Sequence, residues 1–257
     1  MTQLLRHTGW MVVRQARNLM REPIWIVMMV VQPMLWLLLY GQLFKRVGAQ
    51  GPASGSYVEF LTPGVVAMNA FFGGMWSGMA MISDLDRHVI DRFLAAPTAR
   101  IAIVLSQVVR AAITAILQAL ILLLVALALG VRVHGGALGW LVVLAASALL
   151  AAVFAGFSHG IALLMRREAS MIAAANFVGM PLMFLSSILV SIALMPGWIR
   201  AIARFNPVNW GARAARNAVL VGGHWGPTGV YLLLLLAITA ATSLFATWCF
   251  RAYQRSI

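Results

Sequence analysis

Six apolar runs, at 24–44, 60–82, 101–129, 138–165, 171–195 and 228–250, contain no Asp or Glu. That feature limits the folds open to this chain more than any other. A helix rises 1.5 Å per residue, so about 20 residues cross a hydrocarbon core of about 30 Å. Every run is 21 to 29 residues long. With 62% hydrophobic and only 10% charged residues in 257, the chain falls far below the charged fraction of a soluble domain, which is about a quarter. Six acids cannot clothe a soluble globule of this size, and no stretch is long and polar enough for a large water-soluble catalytic domain. The reading is an all-α integral membrane protein of six transmembrane helices in one domain, 1–257.

The segments between the runs fill in the plan. On a helical projection of residues 1–22, Arg6, Arg14, Arg17 and Arg21 share one side with Trp10, while Leu5, Val12, Val13, Ala16, Leu19 and Met20 face away. This predicts an amphipathic helix lying in the membrane interface. Pro23 suits a first helical turn, and Pro33 is expected to kink the first span. That first run is too long for a signal-peptide core and lacks a small-x-small cleavage site at its end, so no cleavable leader is expected. Residues 45–59 read as a polar loop. Gly64, Gly73, Gly74 and Gly78 in the second span permit close helix approach. The segment 83–100, SDLDRHVIDRFLAAPTAR, holds three of the six acids and predicts a short amphipathic helix over 85–95. Residues 196–227 interleave Trp, Arg and Asn, and predict short re-entrant or interfacial helices.

The net charge is +13, from 19 Lys+Arg against 6 Asp+Glu. In a soluble chain that excess would suggest nucleic acid. Here the basic residues lie between apolar runs, where anionic headgroups and orientation by positive charge explain them, and no nucleic-acid partner is expected. Counting 12 Lys/Arg on the side of the termini and 7 on the other puts both termini in the cytoplasm.

Two signatures are missing: neither GxxxxGK[ST] nor HExxH occurs, so the chain does not hold ATP in a P-loop. His7, His88, His134, His159 and His224 are scattered over different segments, and no metal site is expected. Cys249 alone permits no disulfide and reads as a small buried apolar residue. Asp84, Asp86 and Asp91, with Arg87 and Arg92 interleaved, match no strong metal motif. They read either as a solvated loop with local ion pairs or as a docking surface for a cytoplasmic partner. A proton-coupled transporter usually places carboxylates in its core, and the runs have none. Gln107, Arg110, His159 and Asn176 are the notable candidates in or near them. Arg110 either snorkels or pairs near the interface, or lies on a pathway.

Three stretches, in order along the whole chain, carry a resemblance. The first is the basic N-terminal segment with EPIWIVMMVVQP at 22–33. The second is ISDLDRHVIDRFLAAPTARIAIVLSQVV at 82–109, with Leu94, Pro97 and Arg100 in a Leu-x-x-x-Pro-x-x-Arg pattern. The third is PLMFLSSILVSIALMPGWIRAIARFNPVNWGARAAR at 181–216, with Pro181, a Met195-Pro196-x-Trp198 turn, the pair Asn206-Pro207, and Arg216. The chain resembles the ABC-2 type transporter permeases, and among them the daunorubicin-resistance-like drug-efflux and nodulation-type export permeases. One departure is His88-Val89-Ile90 after Asp86-Arg87, where the family commonly has a Gly-Thr-type helix start.

The resemblance implies an ABC-2 (type V exporter) permease fold, with residues 1–22 as the elbow helix and 196–227 as an external re-entrant segment. It implies no catalysis in this chain. ATP and Mg would be bound by a separate ATPase subunit in two copies, alongside a second permease, as a homodimer, in a bacterial or archaeal inner membrane. Asp84, Asp86, Arg87, Asp91, Arg92, Pro97 and Arg100 would form the ATPase-coupling segment. Gln107, Arg110, Asn176, Pro181, Asn206, Pro207 and Arg216 are pathway or structural candidates. The expected activity is ATP-driven export of an amphipathic small molecule, drug or lipid. Export of a lipid-linked glycan is the alternative within the family. A Mg-dependent lipid-diphosphate enzyme and a non-transporting anchor are the alternatives outside it.

Overall fold

The computed structural model describes residues 23–43, 57–86, 100–222 and 225–254. The predicted interfacial helix at 1–22 lies outside them, as do Arg87, Asp91, Arg92 and Pro97 of the predicted coupling segment. All regular structure among the described residues is helical. In chain order it comprises α1 (Pro23–Leu43), α2 (Tyr57–Trp76), α3 (Gly78–Asp86), α4 (Arg100–Ala128), α5 (Gly136–Met165) and α6 (Glu168–Phe184). A 3-10 turn (Ile192–Leu194), α7 (Gly197–Ala203), α8 (Pro207–Arg216), a π turn (Asn217–Val221) and α9 (Trp225–Gln254) follow. Four segments are long and apolar enough to cross a membrane: 57–86 taken through its break, 103–128, 136–165 and 225–254. α6, with 17 residues, and the Val31–Gly41 part of α1 are shorter apolar helices.

The bundle is organised around α5, which packs against α2, α4 and α9. Glycine makes two of these contacts close. A Cβ on Gly74 of α2 would overlap the Ala151 carbonyl of α5, and a Cβ on Gly160 of α5 would overlap the Phe245 ring of α9. Gly74 with Gly78, and Gly156 with Gly160, each repeat at a spacing of four, which sets small residues on one helix face. Around these contacts Phe71, Met75, Leu150, Phe154, Leu163 and Phe250 fill the core. Phe71 and Phe154 meet edge to face with centroids 4.5 Å apart, a favoured aromatic geometry. Leu124, Leu141 and Leu233 point outward, as lipid-facing residues do.

The helices depart from the sequence expectation in two places. The second span is longer than 60–82 and is broken. It runs from Tyr57 to Asp86 with an interruption at Ser77, so Asp84 and Asp86 belong to the helix of the span itself. The charged SDLD sequence mimics a loop, yet α3 continues because it still has α5 to pack on. The predicted fifth span, 171–195, is not one helix. α6 stops at Phe184, and the chain turns through 185–191. Its carbonyls there are captured by Asn206 and Arg216, which replace the continuing helical ladder. The first span, α1, contains Pro33 within one helix, Pro23–Leu43.

Candidate functional site: two polar clusters and an exposed helix face

The first cluster sits where α3, α4 and α5 meet. Gln107, buried on α4, donates from Nε2 to Asp84 Oδ2 at 3.2 Å. Arg110 follows on α4 and lies within electrostatic reach of both Asp84 and His159. His159, fully buried on α5, directs Nδ1 at the Ala155 carbonyl and lies 3.5 Å from Ser77 Oγ. A carbonyl oxygen only accepts, so Nδ1 carries the proton and Nε2 of the neutral ring is the acceptor. A lone Arg or Asp in an apolar bundle is costly, and pairing lowers that cost. The sequence-predicted Asp84, Gln107 and Arg110 thus belong to one cluster. Asp86 is exposed at the last position of α3, and Arg100 opens α4.

The second cluster frames the turn at 185–191. Asn206 caps α8: its Oδ1 accepts from the Val208 N–H at 2.9 Å. Its Nδ2 donates to the carbonyls of Leu182 at 2.7 Å and Leu185 at 3.0 Å. Pro207 occupies the first helical position, where its missing N–H costs nothing. Asn209 Oδ1 accepts from Ser187 Oγ at 2.6 Å and from the Ser187 N–H at 3.2 Å, while its Nδ2 donates to Ala203 O at 2.7 Å. Arg216 donates to the carbonyls of Ser187 at 2.8 Å and Ile188 at 3.2 Å. Its guanidinium carbon stands 4.1 Å from the Phe60 ring centroid. A Cβ on Gly64 would overlap the Ile188 carbonyl, so α2 runs directly beneath the turn. Asn206, Pro207 and Arg216 therefore converge, and Pro181 stands one turn before α6 ends.

The third feature is the outer face of α6. Its buried residues are Met171, Ala175 and Gly179, a stripe one residue wide with a period of four. The opposite face presents Phe177 at 83%, Met180 at 47% and Phe184 at 67% exposure, and Ile172 is exposed at its flank. Asn176 is exposed on the same helix. A second amide pair lies deep in the bundle: Asn69 of α2 donates from Nδ2 to Gln118 Oε1 of α4 at 3.1 Å. The sequence reading did not single out Asn69, Gln118, Asn209 or Ser187. Asn209 was the most accessible of these, because it follows Asn206 by three residues and returns to the same helix face. The others are isolated small polar residues whose partners lie far away in the sequence.

With this geometry in view, similarity to known proteins can be placed on it. The sequence profile of the ABC-2 type transporter family matches residues 6–220. The chain is similar to a putative transport permease, ycf38, of Cyanophora paradoxa, with 28% identity over 195 residues, covering 75% of this chain and 67% of that protein. It is also similar to the daunorubicin resistance ABC transporter permease protein DrrB1 of Streptomyces coeruleorubidus, with 27% identity over 237 residues, covering 90% and 80%. A ycf38 permease of Porphyra purpurea is 24% identical over 219 residues, covering 83% and 74%.

Proposed function

The chain belongs to the ABC-2 type transporter family, as the membrane permease subunit of an ABC exporter and not as its catalyst, and on that premise we propose that a pair of these chains exports an amphipathic small molecule, drug or lipid. In this reading the chain crosses the membrane six times, with both termini in the cytoplasm. Two ATPase subunits bind ATP and Mg and dock on the 83–100 segment. Their closure pushes on α3, which bears Asp84 and Asp86, and the motion reaches the spans through the cluster of Gln107, Arg110 and His159.

One observation carries the placement of the pathway. Asn176 stands exposed on a helix whose outward residues include the large apolar Phe177, Met180 and Phe184. An amide facing lipid tails has no hydrogen-bond partner and is costly there. The cost disappears if α6 faces a second copy of this chain across a cargo path. The surrounding Phe177, Met180 and Phe184 offer adaptable, aromatic and polarisable contacts to an amphipathic molecule. The similarity to a daunorubicin resistance permease makes daunorubicin the first probe.

The test is ATP hydrolysis by the purified permease–ATPase complex in lipid vesicles, titrated with daunorubicin. The reading predicts stimulation, and it predicts that Asn176→Leu raises the concentration needed for half-maximal stimulation by about tenfold, as the loss of one well-placed polar contact would. If lipid-linked glycan stimulates and daunorubicin does not, the cargo belongs to the family's polymer branch. An unaltered titration in Asn176→Leu removes α6 from the pathway.

A further inference from the structure

The break between α2 and α3 has a local cause. In an uninterrupted helix the Gly78 N–H would bond to the Gly74 carbonyl, and the Met75 carbonyl would receive the Met79 N–H. Here the hydroxyl of Ser158, from α5, enters the ladder. It accepts from the Gly78 N–H at 2.9 Å and donates to the Met75 carbonyl at 2.5 Å. Ser77 Oγ occupies the Gly74 carbonyl at 2.6 Å, and the backbone tightens to three-residue bonds on either side, Ser77 to Gly74 and Ala80 to Ser77. A side chain inserted into the helical ladder is an established cause of kinks. The close approach depends on Gly78, because a Cβ there would overlap Ser158 Oγ.

The break also lies in a telling place. On one side of it, α2 is fastened to α5 at Gly74 and to the 185–191 turn at Gly64. On the other side, α3 is a nine-residue arm that carries Asp84 to Gln107 and ends at Asp86, within the coupling segment 83–100. His159, next to Ser158, reaches Ser77 from the same turn of α5. The Gly78 N–H and the Gly74 and Met75 carbonyls therefore have partners at the interruption, and among those partners are side-chain hydroxyls that can be exchanged for ladder bonds.

We propose that Ser158 is a positioning residue for transport: its hydroxyl holds the helix open at Ser77, so that α3 swings as a lever against a stationary α2. This rests on the reading that 83–100 receives the ATPase. A straight span would transmit the same push as a tilt of the whole helix and would disturb its packing at Gly74 and Gly64. A span hinged at Ser77 confines the movement to the arm.

Paired spin labels test this in the permease co-purified with its ATPase. The background is Cys249→Ala, which removes the single native cysteine. One pair, Ser83→Cys with Leu164→Cys, reports the arm against α5. The other, Glu59→Cys with Leu141→Cys, reports the opposite end of α2 against α5. Labelled chains are diluted with unlabelled ones. Trapping the ATPase with ATP and vanadate should change the first distance by about 2 Å or more, the scale of helix shifts in such transitions, and leave the second unchanged. In Ser158→Ala the ladder can close, so the first shift is lost or both pairs move together. Ser158→Thr, which keeps the hydroxyl, restores the wild-type pattern.

Equal movement of both pairs in wild type, or none, in a complex that hydrolyses ATP, would overturn the hinge. Wild-type behaviour in Ser158→Ala would overturn the role of Ser158. Failure of any ATPase to co-purify counts against the coupling reading instead. The hinge is then read in the lone permease, where the arm pair must show the broader distance distribution and equal widths contradict it.

Discussion

Arg216 shows how one residue can hold a distant turn. Its guanidinium binds two carbonyls almost thirty positions earlier in the chain and covers the Phe60 ring. Removing it leaves buried acceptors without donors, which costs more than the hydrogen bonds were worth. Arg216→Ala should destabilise the protein by on the order of 2–4 kcal/mol, seen as earlier thermal unfolding in detergent. Arg216→Lys should recover little of this, because an ammonium cannot reproduce the planar fork. An unchanged melting curve would mean that the turn holds itself. Asn206, Pro207 and Arg216 were legible as residues of interest because their order and spacing match a family pattern. Their task was not legible. A carbonyl that needs a partner leaves no mark in a sequence, and the apolar run through Leu185–Val190 reads like more helix.

At the scale of the element, the four glycines of the second span were the clearest signal, and the structure gives each a neighbour. Gly74→Val should push α2 from α5, because its side chain meets backbone and not a flexible tip. Overpacking of this kind costs about 1–3 kcal/mol, and the measurement is the yield of folded protein by size-exclusion fluorescence. Gly229→Ala, in open space on α9, should be neutral and serves as the control. The lengths of α4, α5 and α9 follow the apolar runs to within four residues at either end, because nothing competes with a long unbroken stripe. The break at Ser77 was hidden for the opposite reason. Ser77 and Ser158 are ordinary residues singly, and only their meeting interrupts a helix. The charges after it carry a prediction of their own. Replacing Asp86 and Arg87 together with Ala should lower transport-coupled ATP hydrolysis several-fold, the expected loss for a docking contact of about 1 kcal/mol or more, without stopping membrane insertion. Normal coupling in correctly inserted protein would remove this segment from the docking surface.

At the scale of the whole molecule, the chain reads as one part of a machine. It has no nucleotide motif, one face of α6 is apolar and uncovered except for an exposed amide, and its family is that of ABC-2 type transporters. The membrane class was legible from composition alone, since six acids in 257 residues leave little choice. Assembly was legible only through family resemblance, because a surface awaiting a partner and a surface awaiting lipid have the same apolar composition. The account stands on the claim that this chain works with an ATPase and with a second permease. The most direct test is to tag the chain at natural abundance, extract it in mild detergent, and weigh the intact complex by native mass spectrometry. The account predicts two copies of this chain with two copies of one ATP-binding subunit. Recovery of the chain alone, repeated across several detergents, would contradict it.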